Sequence, residues 1–147
     1  MAVFLLKAKL GSSYTPPACT GTVFLDVPCT GGIFDPWIED LAGRGITGGC
    51  GGGNYCPGNP VTRAQMSVFL LKTSLGSSYT PPSAVGIFGD VPISDTFAPW
   101  IEDLYNRNIT GGCQASPLLY CPDNPNTRGQ MAVFLVKTFG LLLYGPS

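Results

Sequence analysis

The chain repeats itself with a period of 65 residues. Met1-Ala-Val-Phe-Leu-Leu-Lys7 returns as Met66-Ser-Val-Phe-Leu-Leu-Lys72 and again as Met131-Ala-Val-Phe-Leu-Val-Lys137. The same milestones lie between them in the same order. Gly11–Pro17 recurs as Gly76–Pro82, and Phe24-Leu-Asp-Val-Pro28 as Phe88-Gly-Asp-Val-Pro92. Pro36-Trp-Ile-Glu-Asp-Leu41 recurs as Pro99-Trp-Ile-Glu-Asp-Leu104, and Ile46-Thr-Gly-Gly-Cys50 as Ile109-Thr-Gly-Gly-Cys113. Thr62-Arg-Ala-Gln65 returns as Thr127-Arg-Gly-Gln130. A long repeat with its milestones in constant order means that each copy is one supersecondary unit, whose apolar face its neighbours bury. The reading is therefore two copies, 18–82 and 83–147, behind a segment 1–17 that holds the last helix and linker of an incomplete earlier copy. Nothing before Met1 matches the Thr-Arg-x-Gln run that introduces the other two helices. Its likeness to two internal helices argues against a signal peptide, so the chain is expected to be a processed or excerpted part of a longer exported precursor.

Composition narrows the function. Hydrophobic residues make up 44% of the chain, enough for a packed core, while Gly 20 and Pro 14 call for many turns. Eight scattered basic residues and a net charge of −1 do not make the cationic stripe that nucleic acid needs. There is no His, which removes His-based triads and His metal sites. No nucleophile–base arrangement stands out, and the loop holding Asp123 and Asn124 lacks EF-hand spacing. The expectation is a non-enzymatic protein with no metal and no cofactor. The apolar run Met131–Tyr144 contains Lys137 and is too short to span a bilayer.

Six cysteines stand at Cys19, Cys29, Cys50, Cys56, Cys113 and Cys121, without a C-x-x-C pair. Disulfides fit better than zinc, and they place the protein in an oxidising, exported setting. The repeat itself suggests the pairing. Cys19 and Cys29 align near Ala84 and Ile93, so the second copy lacks both together, as a mutual bond would require. Cys50–Cys56 and Cys113–Cys121 recur in both copies. Each bridge is worth about 2–3 kcal/mol on the chain-entropy model.

Each copy reads as two helices and an extended arm. In Trp100–Arg107, Trp100, Ile101, Leu104 and Tyr105 share one face, leaving Glu102, Asp103, Asn106 and Arg107 for water. Pro99 suits a first turn. Asn108, aligned with Gly45, suits a left-handed position after the helix. The second helix opens on a Thr-x-x-Gln capping box and is apolar almost all round, so it is expected inside the domain. The three equivalents span Met1–Leu10, Met66–Leu75 and Met131–Gly140. Pro28 and Pro92 bias the Phe-x-Asp-Val segments toward extended backbone, and Gly-Ser-Ser-Tyr-Thr-Pro-Pro reads as a linker.

Phe88-Gly-Asp-Val91, Ile101-Glu-Asp-Leu104, Asn108-Ile-Thr-Gly111 and Pro125-Asn-Thr-Arg-Gly-Gln130, taken in that order, resemble the S-layer homology family. The first copy matches from Phe24 to Leu75. The resemblance implies a mainly α domain of tandem pseudo-symmetric repeats. It further implies attachment of exported proteins to the bacterial cell surface through an anionic wall polysaccharide. Family positions carried over as glycan contacts are Arg63 and Arg128, with Thr62 and Thr127 beside them. A guanidinium there can fork onto a sugar carboxylate, aided by helix N-terminal amides. The competing reading pairs each Arg with Asp26 or Asp90, which otherwise cap turns. This sequence departs from the family in Gln65 and Gln130, where Glu is usual, in its cysteine loops, and in having only two Arg motifs.

Trp37 and Trp100 are candidate stacking platforms for sugar rings, although the apolar face of a helix also explains them. Asn108-Ile-Thr110 is a glycosylation sequon. Ser12, Ser13, Thr15, Ser77, Ser78 and Thr80 lie beside prolines and suit O-linked sugars. Two functions stay open: a wall-anchoring module, or a subunit that joins copies of itself head to tail in a surface layer or filament.

Overall fold

The computed structural model describes residues 1–142, so Leu143 and Tyr144 of the apolar C-terminal run lie outside the described residues. Among the described residues the fold is mainly α. Its helices are α1 (Ala2–Leu10), α2 (Asp35–Gly43), α3 (Arg63–Leu75), α4 (Ala98–Asn106) and α5 (Arg128–Phe139). A small antiparallel hairpin pairs β1 (Gln114–Ala115) with β2 (Leu118–Leu119). The three expected disulfides are formed, Cys19–Cys29, Cys50–Cys56 and Cys113–Cys121. No described helix is long and apolar enough to cross a membrane.

The chain gathers into two compact units, Met1–Asn59 and a second that begins at Pro60. These units do not part at the boundaries of the sequence copies. The reason lies in how helices pair: each long helix packs on the short helix that follows it, α1 on α2 and α3 on α4, and α3 also packs on α5. In the first unit Ala2, Leu5 and Leu6 of α1 are buried, as are Phe24, Val27, Ile38, Leu41 and Ile46. In the second unit Ala64 packs with Phe88, Val91, Ala98, Ile101 and Tyr120. Leu70, Leu71, Leu104, Phe134 and Leu135 are buried as well.

Each repeated motif has a physical job. Both short helices end in a Schellman motif. At α4, Asn108 N–H donates to Tyr105 O (2.9 Å) and Ile109 N–H to Leu104 O (3.0 Å), with Asn108 at φ 59°. Gly45 and Ile46 repeat the pattern on Ala42 and Leu41. Ile109 and Ile46 are then buried, as the residue that follows such a helix end commonly is. The next Thr accepts from the second Gly N–H, as Thr110 Oγ1 does from Gly112 (3.1 Å). A side chain on Gly112, at φ 84°, would collide with the Leu119 carbonyl. That carbonyl takes the Cys113 N–H at 2.7 Å and closes the cysteine loop.

Three expectations change. The Phe-x-Asp-Val-Pro arm is not extended throughout, because it turns at Leu25–Asp26 and at Gly89–Asp90. The turn presents the Asp carboxylate across the fold. Asp26 accepts from Tyr55 and Cys56 N–H (both 2.7 Å), and Asp90 from Tyr120 and Cys121 N–H (2.8 and 2.7 Å). These aspartates therefore staple arm to cysteine loop. Second, the acidic residues of the short helices do not face water. Glu39, Glu102 and Asp103 are all buried. Glu102 takes the Val85, Gly86 and Ile87 N–H groups, and Glu39 those of Thr20 and Gly21. Third, enclosure of the long helices is unequal. Most of α3 is buried, whereas Ala132 and Val133 on α5 and Phe4 on α1 are exposed.

Burial by itself would raise the Glu39 carboxyl, but the Thr20 and Gly21 amides outweigh it and hold its pKa below the ordinary value. The Tyr55 amide, helped by that of Cys56, likewise holds Asp26 low against the cost of burial. A lowered carboxylate contributes stability above its unfolded value, about 4, and loses it as pH falls through the lower folded value. The melting temperature should therefore fall steadily below about pH 4. A Glu39→Gln, Asp26→Asn double variant should melt lower at neutral pH and show a flatter fall, as circular dichroism melts across the acid range would record.

Candidate functional site

The two Arg motifs have the same local structure and different surroundings. In both, the Thr side chain accepts from the N3 amide and the Gln side chain takes the Thr amide. Thr62 and Gln65 do this at α3, and Thr127 and Gln130 at α5. The capping box expected from sequence is thus present twice, with Gln serving where the resembling family has Glu.

At α3 the loop that follows β2 encloses the site. Arg63 is only 4% exposed. Its Nε donates to Tyr120 O (2.8 Å), and its guanidinium lies over the Tyr120 and Phe134 rings at 4.7 and 5.6 Å. Tyr120 answers by donating its hydroxyl to Arg63 O (2.9 Å). Burial pushes the Tyr120 phenol up to about 12, with the Arg63 charge pulling the other way. The helix amides are taken too: Arg63 N–H donates to Asn124 O and Ala64 N–H to Pro122 O. The expected assistance from N-terminal amides is therefore absent at α3. Its Arg is tied to Tyr120, not to Asp26 or Asp90, because those carboxylates serve the cysteine loops. Sequence reasoning missed Tyr120. Its signal was available, since Tyr55 and Tyr120 each stand just before the second Cys of their loop.

At α5 the same motif faces outward. Thr127, Arg128, Gly129 and Gln130 are all exposed. A guanidinium at this exposed helix start lies within reach of a carboxylate-bearing ligand from solvent.

The tryptophans sit in a repeated ladder. Trp37 and Trp100 are half-buried. Lys7 Nζ lies 5.7 Å from the Trp37 centroid and Lys72 Nζ 6.0 Å from that of Trp100. Tyr14 and Tyr79 meet them edge-on at 6.1 and 6.2 Å. Tyr14 donates to Asp40 (2.7 Å) and accepts from Arg44 (2.8 Å); Tyr79 does the same with Asp103 and Arg107 (2.8 and 2.9 Å). This clasp fastens the linker to the short helix and leaves one Trp face occupied by a cation. Its tyrosines were not singled out from sequence.

Ser12, Ser13, Thr15, Ser77, Ser78 and Thr80 are exposed on those linkers, and Asn108 is exposed after α4. Among the described residues, two clusters could bring ligand atoms together for a metal, Cys19–Cys29–Glu39 and Asp90–Cys113–Cys121. In both, the sulfurs are joined in disulfides and the carboxylates accept backbone N–H bonds, so neither offers the thiolates that a soft metal needs.

The family model of the S-layer homology domain matches residues 33–67. The matched segment runs from the approach to α2 through the Cys50–Cys56 loop and the capping box into α3. No curated protein matches the chain. The match supports a cell-surface module that binds wall polysaccharide.

The two arginines should separate in a stability measurement. Arg63→Ala removes a charged hydrogen bond and two ring contacts from a buried site, so denaturant unfolding should show a loss of about 2–3 kcal/mol. Arg128→Ala, at an exposed position, should lose less than about 1 kcal/mol.

Proposed function

We propose that the protein is a non-catalytic module of the bacterial cell surface that anchors to an anionic wall polysaccharide, and that Arg128 is its principal glycan contact. One observation carries the choice of residue: of two arginines in equivalent capping boxes, only Arg128 is exposed. Its planar fork matches a sugar carboxylate or ketal-pyruvate group through two parallel N–H bonds, a geometry that Lys cannot reproduce. Thr127 shapes the turn that aims it. Arg63 and Thr62 serve the same recognition indirectly, by holding α3 against the fold beside Tyr120. Trp37 and Trp100, each with one face under a lysine, contribute at most an edge to a passing sugar. The exposed Ser and Thr residues of both linkers are the places where O-linked sugars would be added in an exported protein, while Asn108 owes its identity to the left-handed helix end.

Binding of the full chain to purified, protein-free wall polysaccharide tests this. Arg128→Ala should weaken it about tenfold, the equivalent of one charge-assisted hydrogen bond, and Arg128→Lys should not restore it. Added salt should weaken the unmodified chain's binding. Equal binding by the intact chain and Arg128→Ala, with both folded, would refute the assignment.

A further inference from the structure

A second interaction follows from the unequal enclosure of the three long helices, and it does not rest on the glycan reading. The seat is used twice within the chain. On α1, Ala2 and Leu6 are 3% and 1% exposed, and Lys7 reaches over Trp37 of the short helix that covers them. On α3, Ser67 and Leu71 are 0% and 1% exposed, and Lys72 reaches over Trp100. The equivalent residues of α5 are Ala132, Val136 and Lys137. There Ala132 and Lys137 are exposed, Val136 is half-exposed, and the neighbouring Val133 is 53% exposed. Met131–Lys137 differs from Met1–Lys7 only by Val136 in place of Leu6. So α5 carries, uncovered, nearly the same surface that holds α1 in place.

We propose that α5 of one copy replaces α1 on residues 18–59 of a second copy, joining the two head to tail. The open stripe fits this occupant because a module of that chemistry already covers its counterpart in both units. α5 brings a complete capping box of its own to such a contact. The exchange further sets Arg128 beside the half-buried Tyr55, as Arg63 stands beside Tyr120 in the second unit. Swapping an equivalent element between copies is an inexpensive route to association, and a head-to-tail contact that does not close grows into a filament.

Sedimentation velocity of the full chain across about 1–100 μM, a range in which weak interfaces already register, tests the proposal. Association rising with concentration is expected. Ala132→Arg, at an exposed position, should reduce it at least tenfold while leaving the monomer's melt unchanged. Ala2→Arg, which loosens α1, should speed assembly. Hydrogen exchange on the assembled material should show residues 128–139 gaining protection and residues 2–10 losing it. A chain that stays monomeric across the range overturns the proposal. So does association unaffected by Ala132→Arg, or an assembly in which α1 keeps its protection.

Discussion

A carboxylate taken out of water is costly unless several donors face it, and the short helices turn that cost into connectivity. Glu102 is nearly inaccessible, yet it draws three consecutive amides of the preceding arm, Val85 to Ile87, onto one side chain. Asp103, one residue on, receives the linker through Tyr79 and closes the clasp with Arg107. Arm, linker and helix thus become one module without a strand ladder. Glu39 and Asp40 repeat the device in the first unit. The aspartate of each arm then extends the network to the cysteine loop. Apolar packing of the long helices on the short ones joins what these polar contacts also hold together.

That construction explains why two copies of one motif have different chemistry. Thr-Arg-x-Gln forms the same capping box at α3 and α5, so local sequence gives both arginines the same starting point. What differs is the chain that follows. Residues 120–124 lie across the start of α3, take its first amides and bind the Arg63 Nε. At α5 the motif faces out. The proposed division of labour, one arginine structural and one recognising an acidic sugar, comes from this difference in neighbours rather than from the capping boxes themselves.

The same logic links anchoring and assembly. Polysaccharide binding is proposed at the first residues of α5, and exchange between copies along the stripe that follows. Both use a surface whose counterpart on α3 is buried, and both would occupy the Arg128 guanidinium. On these proposals, a chain engaged with wall sugar and a chain joined to its neighbour would be alternative states of one helix.

Much of this was legible along the chain. The 65-residue period marked the recurring elements, and the joint absence of two cysteines from one copy suggested the disulfide pairing. Capping boxes and left-handed helix ends follow from residues only a few positions apart, so local sequence sufficed for them. The burial of Glu102 and Asp103 was not legible, because helical periodicity assigns polar residues to water and cannot see amides some 15 residues away turning to meet them. Nor could it place Tyr120 against Arg63, 57 positions apart. By itself the sequence determined which segments are helices, where they stop and which cysteines join, since each depends on local backbone chemistry. Only the tertiary structure decided which of three near-identical helices stays open and which of two Thr-Arg-x-Gln motifs can meet a ligand, because exposure is set by whatever the rest of the chain lays over a surface.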